Sequence, residues 1–285
     1  MTLDKDKKIL IVGLGLIGGS YAAALSQNGW EVGAIDPDPQ AIAFAEKAGF
    51  IRHGRTEPEA EYVGKFDIVV FALYPHVLLE WLEKYGPWLR DGALATDVTG
   101  VKSGVVEKAQ ALLFPRVEFI GAHPMAGREV SGVENARADL FRGANYIVTP
   151  TAANTEEAIA CCETLGRTLG ARNISRLTPK EHDEMIGFLS QLTHCIAVAL
   201  MTCKESRHLV DYTGDSFRDL TRIAKINENM WTELFCWNRD ELLEQMDLFL
   251  NHFSSLRDAL ERGDTETMKA MMRLSTERRR YFDKP

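Results

Sequence analysis

Gly13, Gly15 and Gly18 constrain the fold of this chain more than any other feature of its sequence. They lie in the segment GLGLIGGS, which follows the apolar run Lys8–Val12 and precedes an alanine-rich stretch of helical character. In order, the three glycines allow a tight turn, a close approach of the backbone to a diphosphate, and close packing of helix against strand. The segment therefore predicts the first strand, turn and helix of a dinucleotide-binding fold.

Asp36 indicates which dinucleotide binds. It follows a second predicted strand, Glu31–Ile35, and comes 18 residues after Gly18. A carboxylate at this place accepts hydrogen bonds from the adenosine ribose and repels a 2′-phosphate, which favours NAD over NADP. The alternative is a structural glycine turn in which Asp36 only caps a helix. The residues expected to bind NAD are Gly13, Gly15, Leu16, Ile17, Gly18 and Asp36.

Strand and helix signals alternate up to about residue 178, and only helix signals follow. Strands are predicted at 8–12, 31–35, 67–73, 93–96, 118–120 and 146–148, and helices at 17–27, 39–48, 77–85, 103–113 and 155–168. This alternation is typical of an open, doubly wound parallel sheet. The later helices are predicted at 180–204, 216–236, 238–262 and 264–281. We predict an α/β protein with a Rossmann-type domain at residues 1–178 and an all-α domain at 179–285 that forms a homodimer.

Composition argues against several classes of function. The formal net charge is −8 and the pI is about 5.5. Nucleic-acid binding needs concentrated Lys and Arg, so we expect no nucleic-acid partner. The five cysteines include no CxxC pair, and no stretch approaches the ~18 apolar residues of a membrane span. We expect a reduced, cytoplasmic protein with no membrane partner and no metal.

His123 is the first candidate for catalysis. It follows the predicted strand 118–120 and precedes Pro124, which restricts His123 to an extended conformation. The imidazole should therefore lie at the carboxyl edge of the sheet, where doubly wound folds bind their ligands. A lone histidine is more often structural, and only the neighbouring cofactor site favours a catalytic role.

Two patterns in the helical half point to a ligand. Asp219 and Arg222 are three residues apart, so they share a helix face and suit a carboxylate; the alternative is an ordinary surface ion pair. Apolar neighbours predict that this helix is partly buried. A second helix carries a stripe of small and polar side chains that faces either a ligand or water. The stripe consists of Gly187, Ser190, Gln191 and His194.

Five segments together resemble the prephenate/arogenate dehydrogenase family of tyrosine biosynthesis. In the family's order they are GLGLIGGS, TDVTGVK at 96–102, GAHPMAGREVSG at 121–132, HDEMIGFLSQLTH at 182–194 and SFRDLTRIAKINENMW at 216–231. The resemblance covers nearly the whole chain. It implies a nucleotide domain joined to a dimerising helical domain. It also implies hydride transfer from C4 of prephenate to NAD, with loss of the ring carboxylate as carbon dioxide.

The resemblance also assigns roles to residues. His123 corresponds to the histidine that accepts a hydrogen bond from the substrate's 4-hydroxyl, and Arg222 to the arginine that binds a substrate carboxylate. His194 corresponds to a histidine near the substrate side chain. Asp219 and Trp231 correspond to residues that shape the pocket, and Asp219 is expected to orient Arg222 or the nearby backbone.

The chain departs from the family pattern at a few positions. The family usually has serine at the position of Gly100, and we expect the neighbouring Thr99 hydroxyl to substitute for it. Gln191, expected to bind substrate, stands where the family often has histidine. These departures leave arogenate open as the alternative substrate. A β-hydroxyacid dehydrogenase is disfavoured because the helix that begins near Lys180 lacks the G-x-x-x-K-x-x-N pattern. A non-catalytic, NAD-sensing dimer is the remaining alternative.

Overall fold

The computed structural model describes residues 3–205 and 207–283. Within these residues one eight-stranded sheet has the order β3-β2-β1-β4-β5-β6-β7-β8. The chain order reverses between β1 and β4, which is the switch point where such sheets bind ligands. The strands are β1 (Lys8–Val12), β2 (Glu31–Ile35), β3 (His53–Arg55), β4 (Ile68–Phe71), β5 (Leu94–Asp97), β6 (Glu118–Pro124), β7 (Asn145–Thr149) and β8 (Asn173–Arg176).

Helices cover both faces of the sheet. They are α1 (Leu16–Gln27), α2 (Pro39–Lys47), α3 (Ala60–Val63), α4 (Pro75–Tyr85), α5 (Val105–Leu113) and α6 (Glu156–Thr168). One apolar cluster joins α1, α2 and α6 to the sheet, and a second joins α3, α4 and α5 to it. The central strands are buried on both faces, as their continuous apolar runs require. The prediction of a doubly wound Rossmann-type domain is thereby confirmed.

The sheet is not wholly parallel, contrary to the prediction. β7 pairs with β6 in antiparallel register, with His123 opposite Ile147, whereas the other pairs are parallel. A parallel connection needs a crossover helix. Between β6 and β7 the chain forms only a short 3₁₀ turn, Val133–Asn135, so it doubles back instead. Three short elements were also not predicted, because β3, α3 and β8 carry no long apolar run.

The chain from residue 179 to 238 is helical but more broken than predicted. It contains α7 (Pro179–Ile186), a π-helical turn (Gly187–Gln191), α8 (Leu192–Thr202), α9 (Asp215–Thr221) and α10 (Glu228–Trp237). The single helix predicted at 216–236 is wrong. A 3₁₀ turn at Arg222–Ala224 follows α9, and the Asn227 side chain then caps α10 by accepting from the Met230 amide at 3.0 Å.

Residues 1–238 and 239–285 form two compact units. The second contains α11 (Arg239–Glu261) and α12 (Thr265–Arg279), joined by a turn in which Gly263 has φ +67° and Asp264 caps α12. This division falls later than residue 178, because α7 to α10 pack within the same unit as the sheet. The predicted domain boundary at 178, which marks a change of secondary structure, stays a prediction.

One helical run, Pro179–Thr202, is long and apolar enough to cross a membrane by length and composition alone. About 28% of its most apolar window is buried. A core helix of a globular protein has the same properties, so this run by itself is weak evidence for a membrane span. Near its start, His182 and Asp183 are buried and hydrogen-bonded.

Candidate active site

The turn between β1 and α1 requires two of its glycines for packing and leaves the third open. Gly13 has φ +95°, and a Cβ there would lie 2.5 Å from the Ala72 carbonyl oxygen. A Cβ at Gly18 would lie 1.9 Å from the Gly13 carbonyl oxygen, so α1 and β1 approach too closely for any side chain. A Cβ at Gly15 would meet nothing within 4 Å. The backbone at Gly15 therefore faces open space.

That open space lies at the N-terminus of α1. Gly15 occupies the N-cap position and has no side chain to cap the helix. The first-turn amides, which include those of Leu16 and Ile17, thus keep their capacity to bind an anion. The arrangement of glycines and amides fits a dinucleotide diphosphate.

Asp36 is held against the glycine turn. Its Oδ2 accepts from the Leu14 amide at 2.6 Å, and its Oδ1 accepts from the Asp38 amide at 2.9 Å. The nearest cation along the adjacent strand is Arg55, and its guanidinium is 3.5 Å from Glu59. The Asp36 carboxylate therefore orders the turn, and each oxygen keeps a second lone pair for a ribose hydroxyl.

His123 lies near the end of β6, beyond the parallel part of the sheet, and is half-buried. Its Nδ1 is 2.9 Å from Nε2 of His182 on α7. His182 is completely buried, and its Nδ1 is 2.7 Å from Asp183 Oδ1. Sequence reasoning did not single out His182 or Asp183. The available signal was an adjacent His-Asp pair in a helix that begins with a capping Thr178 and a proline.

Burial above all lowers the pKa of His123 well below its usual 6.5, and the electrostatic effects of the neighbouring His182 and Lys102 act in the same direction. The imidazole is therefore neutral near pH 7. A neutral imidazole can accept a proton, whereas an imidazolium cannot.

Thr99 belongs to a buried network behind the site. Its hydroxyl contacts Asp97 Oδ2, lies 2.8 Å from the Val101 carbonyl oxygen and accepts from Lys102 Nζ at 3.1 Å. Lys102 is fully buried and forms an ion pair with Asp97 at 2.6 Å. Thr99 therefore does not take the place of the missing serine, contrary to the expectation.

Gly100, and not Thr99, is the residue that faces His123. A Cβ built on Gly100 would lie 4.0 Å from His123 Cε1 and 3.5 Å from Leu234 Cδ1. Both distances are ordinary van der Waals contacts. There is consequently room for a side chain at the position of the family's serine. Leu234 of α10 lies on the side of this space opposite His123.

Arg222, Glu129, His194 and Trp231 form a second cluster. Arg222 makes an ion pair with Glu129, which lies on the loop after β6. The charges of both residues act on His194, whose pKa is lowered mainly by burial. His194 stacks on Trp231 with ring centroids 3.7 Å apart, and its Nδ1 donates to the Ser190 carbonyl at 2.8 Å. Trp231 and Leu234 are three residues apart on α10, so this helix connects the cluster to the Gly100 position.

The structure does not bring Asp219 and Gln191 into these clusters. Asp219 is exposed and its carboxylate makes no hydrogen bond or ion pair within residues 3–205 and 207–283, and Arg222 pairs with Glu129 instead. The apolar face of α9 is also exposed, contrary to the prediction of partial burial. Gln191 is buried, where its amide donates to the Leu234 carbonyl at 3.1 Å and accepts from Asn238 at 2.7 Å. The predicted polar stripe begins on a π-helical turn, Gly187–Gln191, and its four residues are buried or half-buried.

Comparisons with known proteins identify the family of this chain. A family model described as the nucleotide-binding domain of prephenate dehydrogenase matches residues 21–175, and one described as its dimerization domain matches residues 178–274. Prephenate dehydrogenase of Bacillus subtilis is 33% identical over 91% of this chain and 72% of its own length.

Two solved structures are similar over nearly the whole chain. The Aquifex aeolicus prephenate dehydrogenase in complex with hydroxyphenyl propionate and NAD+ has a TM-score of 0.90 at 28% identity, covering 99% of this chain and 100% of that one. The Synechocystis arogenate dehydrogenase has a TM-score of 0.83 at 25% identity, covering 97% and 100%. These matches, together with the glycine turn and the half-buried histidine at the edge of the sheet, show that the chain belongs to the prephenate dehydrogenase family of oxidoreductases.

Proposed function

We propose that this chain catalyses the oxidative decarboxylation of prephenate to 4-hydroxyphenylpyruvate with hydride transfer to NAD. The observation that carries the proposal is His123, a neutral, half-buried imidazole at the carboxyl edge of a dinucleotide-binding sheet. The family relationship supports the same reaction. The bound NAD and hydroxyphenyl propionate of the Aquifex relative support the cofactor and an aromatic carboxylate ligand.

The proposed NAD site consists of the turn between β1 and α1 and the carboxylate that follows β2. Gly15 and the amides of Leu16 and Ile17 would hold the diphosphate, Gly13 and Gly18 permit the close turn, and Asp36 would bind the adenosine ribose. The fit rests on the open space at Gly15 and on the uncapped start of α1. When bound there, the nicotinamide supplies the acceptor for hydride.

His123 would act as a weak, neutral base. Its imidazole accepts a hydrogen bond from the C4 hydroxyl of the substrate. As hydride leaves C4, positive charge develops on the hydroxyl, and an imidazole stabilises that charge far better than water does in a half-buried site. The ring carboxylate then leaves as carbon dioxide and its electron pair enters the ring. The hydroxyl proton returns to oxygen, so the product is a phenol.

Arg222 and His194 would bind the substrate side chain. Arg222 is 62% exposed, and Glu129 is its one ion-pair partner among the residues that the structure describes, so a substrate carboxylate can replace that exposed partner at little cost. A guanidinium suits a carboxylate because it donates two parallel hydrogen bonds. The His194–Trp231 stack offers an aromatic wall beside it.

Arogenate is the second candidate substrate. It differs from prephenate only by an amino group in place of the side-chain keto oxygen, and the structural similarity to the Synechocystis arogenate dehydrogenase favours it. Glu129 lies beside Arg222 and would suit the ammonium group. Which of the two substrates has the higher kcat/KM depends on whether the Arg222–Glu129 pair binds a keto side chain or an amino side chain more tightly.

Steady-state kinetics with both substrates and both nicotinamide cofactors test the proposal. We expect prephenate with NAD to have the highest kcat/KM, and NADP to be poor because Asp36 repels its 2′-phosphate. A higher kcat/KM for arogenate overturns the substrate assignment. No cofactor reduction with either substrate, by folded protein that binds NAD, favours the non-catalytic sensor.

We also propose a homodimer in the cytoplasm. The second matching family model is described as a dimerization domain, which supports self-association through the helices. The five cysteines are free, and Cys161 and Cys162 are buried as thiols, as expected for a reducing compartment. Sedimentation of the purified protein and fractionation of the source cells test the two proposals.

A further inference from the structure

A line of three side chains leads from the proposed reaction centre into the helical part of the first compact unit. His123 Nδ1 lies 2.9 Å from His182 Nε2, and His182 Nδ1 lies 2.7 Å from Asp183 Oδ1. Asp183 accepts further hydrogen bonds from the backbone amides of Lys102 at 2.9 Å and Ser103 at 2.7 Å. The proposed function uses only the first of these side chains.

The hydrogen bonds of Asp183 set its charge. Burial opposes ionisation, but the hydrogen bond from His182 and the two backbone amides outweigh it, so the pKa of Asp183 lies below its usual value. Asp183 is therefore a carboxylate, which accepts hydrogen bonds and donates none. His182 Nδ1 must then carry the proton in that hydrogen bond.

Both imidazoles are consequently oriented by their partners. His182 is neutral, because burial lowers its pKa more than the hydrogen bond to Asp183 raises it, and Lys102 lowers it further. With its proton on Nδ1, neutral His182 offers a lone pair on Nε2. His123 must donate its Nδ1 proton to that lone pair. The remaining nitrogen of His123, Nε2, is then an unprotonated acceptor.

We propose that His182, anchored by Asp183, is a positioning residue that keeps the acceptor nitrogen of His123 directed at the substrate hydroxyl and shares the proton taken up there. This inference rests on the proposed function. The groups that face His182 are His123, Asp183 and the buried ion pair of Lys102 with Asp97.

The proton balance of the proposed step is closed. As hydride leaves C4, the O–H bond breaks and an N–H bond forms at His123 Nε2. The Nδ1 proton of His123 shifts toward His182 Nε2, which moves the positive charge toward the Asp183 carboxylate. When the ring loses carbon dioxide, the electron pair of the broken C–C bond makes the ring aromatic, and the proton returns to the oxygen. No proton is released overall.

A purely structural role for His182 is the competing explanation, because a buried hydrogen-bonded histidine also stabilises a fold. The two roles differ in what they predict for His123. A structural His182 affects unfolding alone. A positioning His182 also determines which nitrogen of His123 carries the proton.

The test compares His182→Leu with His182→Gln in the full-length protein. Leucine removes the acceptor, whereas the glutamine side-chain oxygen can still accept from His123 Nδ1 but cannot take up a proton. We expect kcat to fall on the order of 100-fold in His182→Leu and roughly tenfold in His182→Gln, within the range of general-base effects. His53→Leu, on an exposed position of β3, is the matched control and should keep wild-type kcat.

Two further measurements separate positioning from folding. Imidazole ¹⁵N shifts should show the Nδ1–H form of His123 in the wild type and in His182→Gln, and the Nε2–H form in His182→Leu. NAD affinity and the thermal midpoint should change little in His182→Gln. Because the ¹⁵N measurement needs no substrate, it reports on the positioning of His123 by His182 even if prephenate turns out not to be the substrate.

Wild-type kcat in His182→Leu, or an unchanged tautomer of His123 in that variant, overturns the inference. Equal losses of kcat in both variants, together with equal losses of thermal stability, also overturn it in favour of a structural role. If His182→Leu does not fold, His182→Gln decides alone. In His182→Gln, a reduced kcat with the wild-type tautomer and stability supports the inferred role of His182, and a wild-type kcat refutes it.

Discussion

The protonation of His123 links reactivity to stability at the scale of a single residue. Its ordinary pKa is 6.5, and burial lowers this value well below 6.5 in the folded protein. The unfolded chain therefore binds more protons than the folded one as the pH falls below about 6.5. His182, whose pKa is also lowered by burial, acts in the same direction. The folded state is thus favoured above pH 6.5 and loses stability on the acid side.

The same shift predicts the pH dependence of the reaction. Only neutral His123 accepts the substrate's proton, so kcat/KM should remain high down through pH 6.5 and fall only at a lower pH. The free energy of unfolding in urea should be level above pH 6.5 and decrease below it. An acid limb of kcat/KM centred at or above pH 6.5, with unfolding energy independent of pH, contradicts the neutral, buried imidazole.

Arg222 and Glu129 predict opposite changes in KM. Arg222→Gln removes a charge-assisted contact and should raise KM for prephenate roughly tenfold with a smaller change in kcat. Glu129→Gln releases Arg222 from a competing partner and should lower KM about twofold, as expected for an exposed ion pair. Arg218→Gln is the control, since Arg218 is equally exposed and pairs with Asp215, outside the two clusters of the site. Equal KM values in all three variants would exclude Arg222 as the carboxylate ligand.

Gly100 predicts a gain of function. A serine there fits without displacing its neighbours, because the nearest heavy atom to its Cβ would be 3.5 Å away. The new hydroxyl would lie beside the His123 ring, where it can add a hydrogen bond to the substrate hydroxyl, and one hydrogen bond of about 1 kcal/mol corresponds to roughly a fivefold increase in kcat. Gly100→Ala adds the carbon without the hydroxyl and should leave kcat unchanged. Equal kcat for the serine and alanine variants contradicts the inferred geometry.

At the scale of elements, two glycines of the β1–α1 turn are expected to have different roles: Gly15 in NAD binding and Gly18 in packing. Gly15 has an extended backbone, with φ −72° and ψ −164°, and open space beside it. Gly15→Val should fold with a thermal midpoint near that of the wild type, yet weaken NAD binding at least tenfold because the side chain blocks the diphosphate. Gly18→Val should instead lower the thermal midpoint strongly, since its Cβ overlaps the Gly13 carbonyl. Tight NAD binding by folded Gly15→Val would place the cofactor elsewhere.

At the scale of the whole molecule, exposed apolar side chains on the second compact unit favour self-association. Phe253 is 60% exposed and Leu260 is 67% exposed on α11, and Met272 is 60% exposed on α12. Exposed apolar side chains of this size, where they form a continuous patch, mark association surfaces. Phe253→Asp should shift the protein from dimer to monomer in sedimentation, whereas Ser254→Asp, one residue along the helix, should not. A wild-type monomer at micromolar concentration would contradict the dimer.

Local signals in the sequence determined most of the elements and the position of His123. A strand followed by glycines at fixed spacing, apolar runs alternating with helical patterns, and a histidine restrained by the proline after it are encoded by neighbouring residues. These patterns specify backbone conformation and the buried face of each element through neighbouring residues alone. The sequence therefore predicted the Rossmann-type sheet, the glycine turn, the place of His123 and the helical character beyond residue 178.

Tertiary packing decided which side chains meet. His182 lies 59 residues from His123, and Glu129 lies 93 residues from Arg222, so no periodicity relates either pair. The burial of Gln191 likewise depends on hydrogen-bond partners that lie 43 and 47 residues away, Leu234 and Asn238. Gly100, and not Thr99, faces His123 because Asp97 and Lys102 engage the threonine hydroxyl. Short-range patterns specify conformation, whereas contacts between distant residues arise only when the chain is closed around a common core.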